Sequence, residues 1–362
     1  PHYVSGWYKT TFDTPIKDGN ENVVLKFDGA AYHALVFVNG KYVGDHKGSF
    51  THFEFTVDDY LNPEGSENTL YVWISNDFGE APPRHVYGKM FFYNSNMGGI
   101  EQPVYLKVVP SYRLNELRID PNIQEQVVRF KAKTVYNGED AEEMTAVVCV
   151  TDIYDNIILP NRPAVIKDGY ITGDIAAASL ELWNVDNPVI YNLIVEIADS
   201  KGKIISKTSQ KFGYRQFKAE GTKFYLNGNR VKLYFGNIFS YSSARYDKPQ
   251  GRRQFIDWLL RQKAQGVNAL RYHMAGPNSD TILDICDEVG ILVMQEFHMF
   301  HRVFSDIPSI DDQRKFLDKA LVELSEFMYR DYNHPSVVVW SLSNEVWSNN
   351  LALLYEELYR VG

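Results

Sequence analysis

Cysteine is nearly absent from this sequence. The two residues present among 362, Cys149 and Cys286, stand far apart and in unlike surroundings. They support neither a disulfide framework nor a thiolate zinc site, and they leave the compartment open. Long apolar runs are missing as well. Nothing approaches the roughly 20 residues that a bilayer-crossing helix needs, so no membrane span is expected. There is no excess of positive charge: 37 basic residues face 46 acidic ones, a net of −9. The electrostatic footprint of a nucleic-acid partner is therefore not expected. The histidines form no HExxH or HxH pair and no acidic calcium loop is present, so no motif asks for a metal or other cofactor. An initiator Met, a charged leading segment and an apolar leader are also lacking. Residue 1 is Pro, and Gly6-Trp7-Tyr8-Lys9 already reads as a strand. The chain is expected to begin inside a longer protein, and a signal peptide cannot be judged from it.

What is there, 44% hydrophobic and 23% charged residues, is an ordinary globular composition for two to three domains at roughly 150 residues each. To about Pro110 the pattern is short and alternating, as in Leu35-Val36-Phe37-Val38 and Leu70-Tyr71-Val72-Trp73-Ile74. Asn39-Gly40 between two such runs is a strong hairpin signal, because both central residues of a type I′ turn need positive φ. An all-β sandwich or jelly roll follows. From about Ser111 to Phe217 a second strand-rich unit of about a hundred residues suits an immunoglobulin-like sandwich. Trp183, beside Asn187-Pro188, reads as a packing residue where a strand begins.

After Phe217 the period changes to strand–helix alternation. Apolar strands begin near 231, 267, 291 and 337, with helices from about 252 to 264, from Ser279 to Gly290 and from about 311 to 330. The last residues, from Leu351, again have a helical pattern. Such alternation signals a parallel sheet covered by helices. Four strands in 145 residues are either half of a (β/α)₈ barrel, which needs eight strands, or a small open sheet. In both cases ligands bind at the carboxyl edge of the strands. At this edge the sequence places Phe235-Gly236-Asn237, Arg271-Tyr272-His273, Gln295-Glu296-Phe297-His298 and Ser341 to Trp347. Paired Glu, His, Arg and Trp at one edge point to a functional site.

The most specific segment is HPSVVVWSLSNE, His334 to Glu345. It resembles a signature of glycoside hydrolase family 2, the family of β-galactosidases, β-glucuronidases and β-mannosidases. Asn268-Ala269-Leu270-Arg271 is similar to the Asn-x-x-Arg of that family's second barrel strand. Ile285 to Val293 resembles the helix-to-strand junction that follows. Gly6-Trp7-Tyr8-Lys9 and Val38-Asn39-Gly40-Lys41 resemble its sugar-binding jelly roll. The resemblance covers essentially the whole chain. It implies a multidomain β plus α/β fold: a jelly-roll sandwich over 1–110, an immunoglobulin-like sandwich over 111–217, and the first half of a TIM barrel, about four strands, over 218–362.

The resemblance also implies an enzyme, a retaining exo-β-glycosidase acting on a carbohydrate substrate with Glu345 as general acid/base. That role calls for a carboxyl kept protonated before cleavage, a state favoured by burial and a neighbouring carboxylate. Asn344 would bond the sugar 2-hydroxyl. Arg271, His273, Glu296 and His298 would line the sugar pocket, and Trp347 would supply a stacking wall. The nucleophile, a second Glu on a later strand, is expected outside the chain, because only 17 residues follow Glu345. The chain alone is thus expected to hydrolyse little or nothing. A divalent cation, used by some members, has no motif here. Tyr272-His273-Met274 departs from the usual His-Tyr-Pro. Gln295-Glu296-Phe297 replaces Asp-Glu and looks more like the β-mannosidase branch. A β-mannosidase or exo-β-glucosaminidase is therefore one alternative, and a non-catalytic carbohydrate-binding protein another.

Overall fold

A computed structural model describes residues 5–48, 51–75, 89–90, 95–96, 99–100, 102–136, 144–239, 249–273, 279–297, 299, 309–345 and 356. The amino-terminal unit stacks two antiparallel sheets. One runs in the order Ser5–Asp13, Glu67–Ser75, His33–Val38, Lys41–Lys47, and the other Val104–Pro110, Glu21–Phe27, Phe53–Thr56. The alternation dictates the packing. Ala34, Val36 and Val38 point inward against Val23, Leu25 and Phe27, while Leu35 and Phe37 face out. Asn39 and Gly40 hold φ of 51° and 78°, as the hairpin signal requires.

The second unit has seven antiparallel strands in one continuous order: Tyr112–Asn122, Val127–Tyr136, Tyr170–Ala176, Ile157–Lys167, Thr145–Asp152, Tyr191–Ala198, Ile204–Phe212. Ile157–Lys167 pairs with the 145–152 strand up to Ala164 and with the 170–176 strand from Val165. It thereby passes from one face of the sandwich to the other around a core that includes Val128, Phe130, Val148, Val195 and Ile197.

The third unit opens with a three-stranded meander, Phe217–Glu220, Lys223–Leu226 and Asn229–Val231. Here one expectation is corrected. The strand beginning near 231 belongs to this meander, because the Asn227-Gly228 turn, with φ of 52° and 81°, returns 229–231 onto 224–226. The first parallel strand is instead β1, Phe235–Phe239. It is followed by α1 (Pro249–Ala264), β2 (Ala269–His273), α2 (Ser279–Val289), β3 (Leu292–Glu296), α3 (Ile310–Asp331) and β4 (Val337–Ser341). The strands lie parallel in the order β1-β2-β3-β4. Gly266 and Gly290, at φ of 90° and 73°, follow the ends of α1 and α2. Leu270, Tyr272 and Val293 pack beneath Leu259, Leu283 and Leu324 of the helices. On the other face Ala269 and Leu292 meet Trp183, Ile190 and Leu226. Trp183 is thus a seam residue between the sandwich and the parallel sheet. Among the described residues no helix is long and apolar enough to cross a membrane.

Candidate active site

Strand pleating places Arg271 and His273 on the same face of β2 as Ala269, away from the helices. Glu296 ends β3 and is 1% exposed. Its Oε2 accepts from Arg271 Nε at 2.9 Å, Arg271 Nη2 at 2.7 Å and Ser341 Oγ at 3.1 Å. Its Oε1 lies 2.6 Å from His273 Nδ1. An ionised carboxylate only accepts, so Nδ1 carries the hydrogen of that bond. Burial opposes ionisation of Glu296. The hydrogen bonds from His273 and Arg271, and then their charge, outweigh it and hold the carboxyl below its ordinary range. Arg271 Nη2 also donates to Asn344 Oδ1. The Asn344 backbone N–H donates to Met299 O at 2.8 Å, and the residue is buried. Glu345 follows at φ 48°, a left-handed conformation that non-glycine residues seldom adopt and that clusters at functional sites.

Arg271, His273 and Asn344, separated by up to 73 residues, therefore meet at one sheet edge with Glu345 beside them. The carboxylate of Glu296, expected at the pocket in a structural or sugar-binding role, is turned onto Arg271, His273 and Ser341. One expectation is corrected. Glu345, expected to be buried, is exposed. His298 and Trp347 lie outside the described residues. So does the carboxyl-terminal helical stretch apart from Glu356, which is exposed. Ser341, expected at this edge but given no role there, joins the group. Its signal was available in the pattern: a hydroxyl residue ending β4 directly opposite Glu296 in the ladder.

The opening residues of the HPS segment do different work, at the amino end of β4. His334 Nδ1 lies 2.6 Å from Asp287 Oδ2, and the Ser336 N–H donates to Asp287 Oδ1 at 2.9 Å. Burial lowers the His334 pKa, but the charge and hydrogen bond of Asp287, with Asp331 and Asp284 behind it, raise it to about 9. Asp284, Asp287 and His334 are close enough together to suit a cation. Within this group His334 and Asp287 form a close pair, Nδ1 to Oδ2. On the far side Trp183 Nε1 donates to Asp287 O at 3.0 Å. This end of the motif braces the sheet against the sandwich.

Comparison with known proteins follows the same three units. The TIM barrel domain profile of glycosyl hydrolases family 2 matches residues 221–361. The family's galactose-binding domain-like profile matches 3–100, and a third profile of glycosyl hydrolases family 2 matches 112–215. A beta-galactosidase of Thermoanaerobacter pseudethanolicus is 28% identical over 348 residues, which is 93% of this chain and 44% of that protein. A beta-galactosidase of Priestia megaterium is 26% identical over 359 residues, 94% and 34% of the two chains. The crystal structure of a beta-glucuronidase from Bacteroides uniformis shares the fold, with a TM-score of 0.77 at 22% identity over 99% of this chain and 43% of the other. The chain thus spans less than half the length of these relatives. With profiles of a single family matching one after another from residue 3 to residue 361, the chain belongs to glycoside hydrolase family 2.

Proposed function

We propose that this chain carries the acid/base side of the active site of a retaining exo-β-glycosidase that removes terminal β-linked sugars, β-galactosidase- or β-glucuronidase-like in its preference. The observation that carries the reading is the Glu296–Arg271–Asn344 chain of hydrogen bonds, which sets Asn344 and the strained Glu345 together at the carboxyl edge of a parallel sheet. In this reading Glu345 protonates the departing glycosidic oxygen. A second carboxylate, about 5–5.5 Å away, attacks the anomeric carbon, and Glu345 then serves as base for the incoming water. Asn344 accepts from or donates to the sugar 2-hydroxyl, an interaction that tightens as charge develops at the anomeric carbon. Glu296 is unsuited to be that nucleophile, since Arg271 and His273 already hold both of its oxygens. The nucleophile is assigned to a carboxylate outside the described residues.

The exposure of Glu345 gives footing to a second reading, a carbohydrate-binding protein without hydrolysis. One experiment separates the two. The chain is expressed with its downstream coding sequence and assayed on aryl β-galactosides and β-glucuronides, as wild type and as Glu345→Gln. The proposal expects turnover that falls about 10²–10⁴-fold in the variant, on the scale of a lost general acid/base. The fall is smallest on substrates whose leaving group needs no proton. An equal rate in the two proteins rejects Glu345 as acid/base, and sugar binding without turnover in the wild type supports the second reading.

A further inference from the structure

We infer that Glu296 is a positioning residue, a buried carboxylate that fixes Arg271 and His273 and, through Arg271, the carboxamide of Asn344 beside Glu345. What the positioned groups then do rests on the glycosidase reading above; the positioning itself does not. Four donors converge on its two oxygens: Nε and Nη2 of Arg271, Oγ of Ser341 and Nδ1 of His273. Three of these bonds fall on Oε2 and one on Oε1, so both oxygens are engaged from within the protein.

The three partners come from different places. Arg271 and His273 stand on β2, and Ser341 ends β4, three residues before Asn344. A single side chain on β3 therefore ties together the ends of the two strands that flank it. The guanidinium of Arg271 is about one-third exposed and turns the edge carrying Nε and Nη2 to Glu296. That edge sets the plane of the fork and aims Nη2 at Asn344 Oδ1. Without the anion the arginine would swing on a flexible stem, and Asn344 would keep its backbone anchor to Met299 while its amide lost orientation.

The experiment has two arms. In the 362-residue chain, ¹⁵N-edited NMR follows the Arg271 Nε–H, assigned by its disappearance in Arg271→Lys. In the wild type this proton is expected downfield and slow to exchange. In Glu296→Gln it should move upfield and exchange at least tenfold faster, with the His273 ring signals shifting alongside. If the amide variant does not fold, Glu296→Asp carries the same measurement, because it keeps the charge but withdraws it by one methylene. A folded variant with an unchanged Arg271 signal overturns the inference. In the longer protein, Glu296→Gln should lower kcat about 10–100-fold with KM within threefold, and Glu296→Asp should recover part of the loss. This is the signature of a group that orders others for the transition state. A raised KM with unchanged kcat would overturn it too, since that marks a direct substrate contact. A wild type with no turnover on any glycoside fails the glycosidase reading instead, and the NMR arm then decides the inference alone.

Discussion

His334 and Asp287 form a close ionic contact at the amino end of the sheet, and their electrostatics have a definite sign. Folding raises the His334 pKa from 6.5 to about 9. The folded state therefore holds this proton more tightly than the unfolded chain. The resulting stabilisation is complete below pH 6.5 and is lost as pH rises through 9. Its ceiling is on the order of 3 kcal/mol. The wild type should lose stability relative to His334→Gln between pH 6.5 and 9 in urea titrations, with the difference levelling off above 9. A constant difference across that window would contradict the ion pair. Glu296 acts in the opposite direction. Its lowered pKa contributes stability above pH 4.5 that is lost on acidification, so Glu296→Gln should flatten the acid limb of the stability profile below that pH. Arg271, Asn344 and Glu345 were legible as candidate site residues because their motif is written in one dimension. The inward turn of Glu296 was not legible, because it depends on which residues of β2 and β4 come to lie beside it. Nor was the division of HPSVVVWSLSNE into a head that braces the sheet and a tail at its carboxyl edge, one strand length apart.

At the scale of elements, two Asn-Gly turns among the described residues, Asn39-Gly40 and Asn227-Gly228, show how a locally specified hairpin acquires a tertiary task. A Cβ on Gly40 or Gly228 would meet no atom within 4 Å, so substitution there is opposed by the backbone alone, at φ of 78° and 81°. Gly40→Ala and Gly228→Ala should each destabilise by about 1–2 kcal/mol. The asparagines do more than turn the chain. Asn39 Nδ2 donates to Tyr60 O and Asn68 Oδ1, and its Oδ1 accepts from the Thr69 N–H. Asn227 Nδ2 donates to Trp183 O, and its Oδ1 accepts from the Gln216 N–H. Asn227→Gly retains the turn but strands both partners at a part-buried seam. A loss of about 1–3 kcal/mol is expected by chemical denaturation. A variant as stable as the wild type would show that the meander docks through apolar contact alone. The turn chemistry was written in the dipeptide. The docking was not, since Trp183 lies 44 residues upstream, and the misplaced first strand near 231 has the same origin. A short apolar run after a hairpin turn reads equally well as the turn's return arm or as the next parallel strand, and only the pairing decides.

For the whole molecule, the four-stranded sheet depends on the sandwich to bury its amino ends. The contact is polar as well as apolar. Arg215 Nε and Nη2 donate to Pro335 O at 3.0 Å and Val337 O at 2.7 Å, and Asn333 pairs with the backbone of Leu117 and Ile119. The amino-terminal unit is tied to the same block through Thr51 Oγ1, which donates to Glu326 of α3 at 2.6 Å. At Gly213 and Gly290 the sandwich and the sheet approach too closely to admit a methyl group. A Cβ on Gly213 would stand 2.6 Å from Pro335 Cβ and 3.0 Å from Trp183 Cβ, and one on Gly290 would stand 2.7 Å from Val185 O. Pro335 and Trp183 are themselves rigid or fully buried, so neither can yield without moving the brace that orients β4 and, at its other end, Asn344 and Glu345. Gly213→Ala should therefore destabilise by about 1–3 kcal/mol through overpacking. The strain should also propagate along the strand and raise amide exchange at Ser341 and Asn344 before any global unfolding. Hydrogen exchange on the folded variant measures this directly. Wild-type protection at the carboxyl end of β4, together with a lowered melting temperature, would confine the seam to stability and remove it from any part in shaping the site.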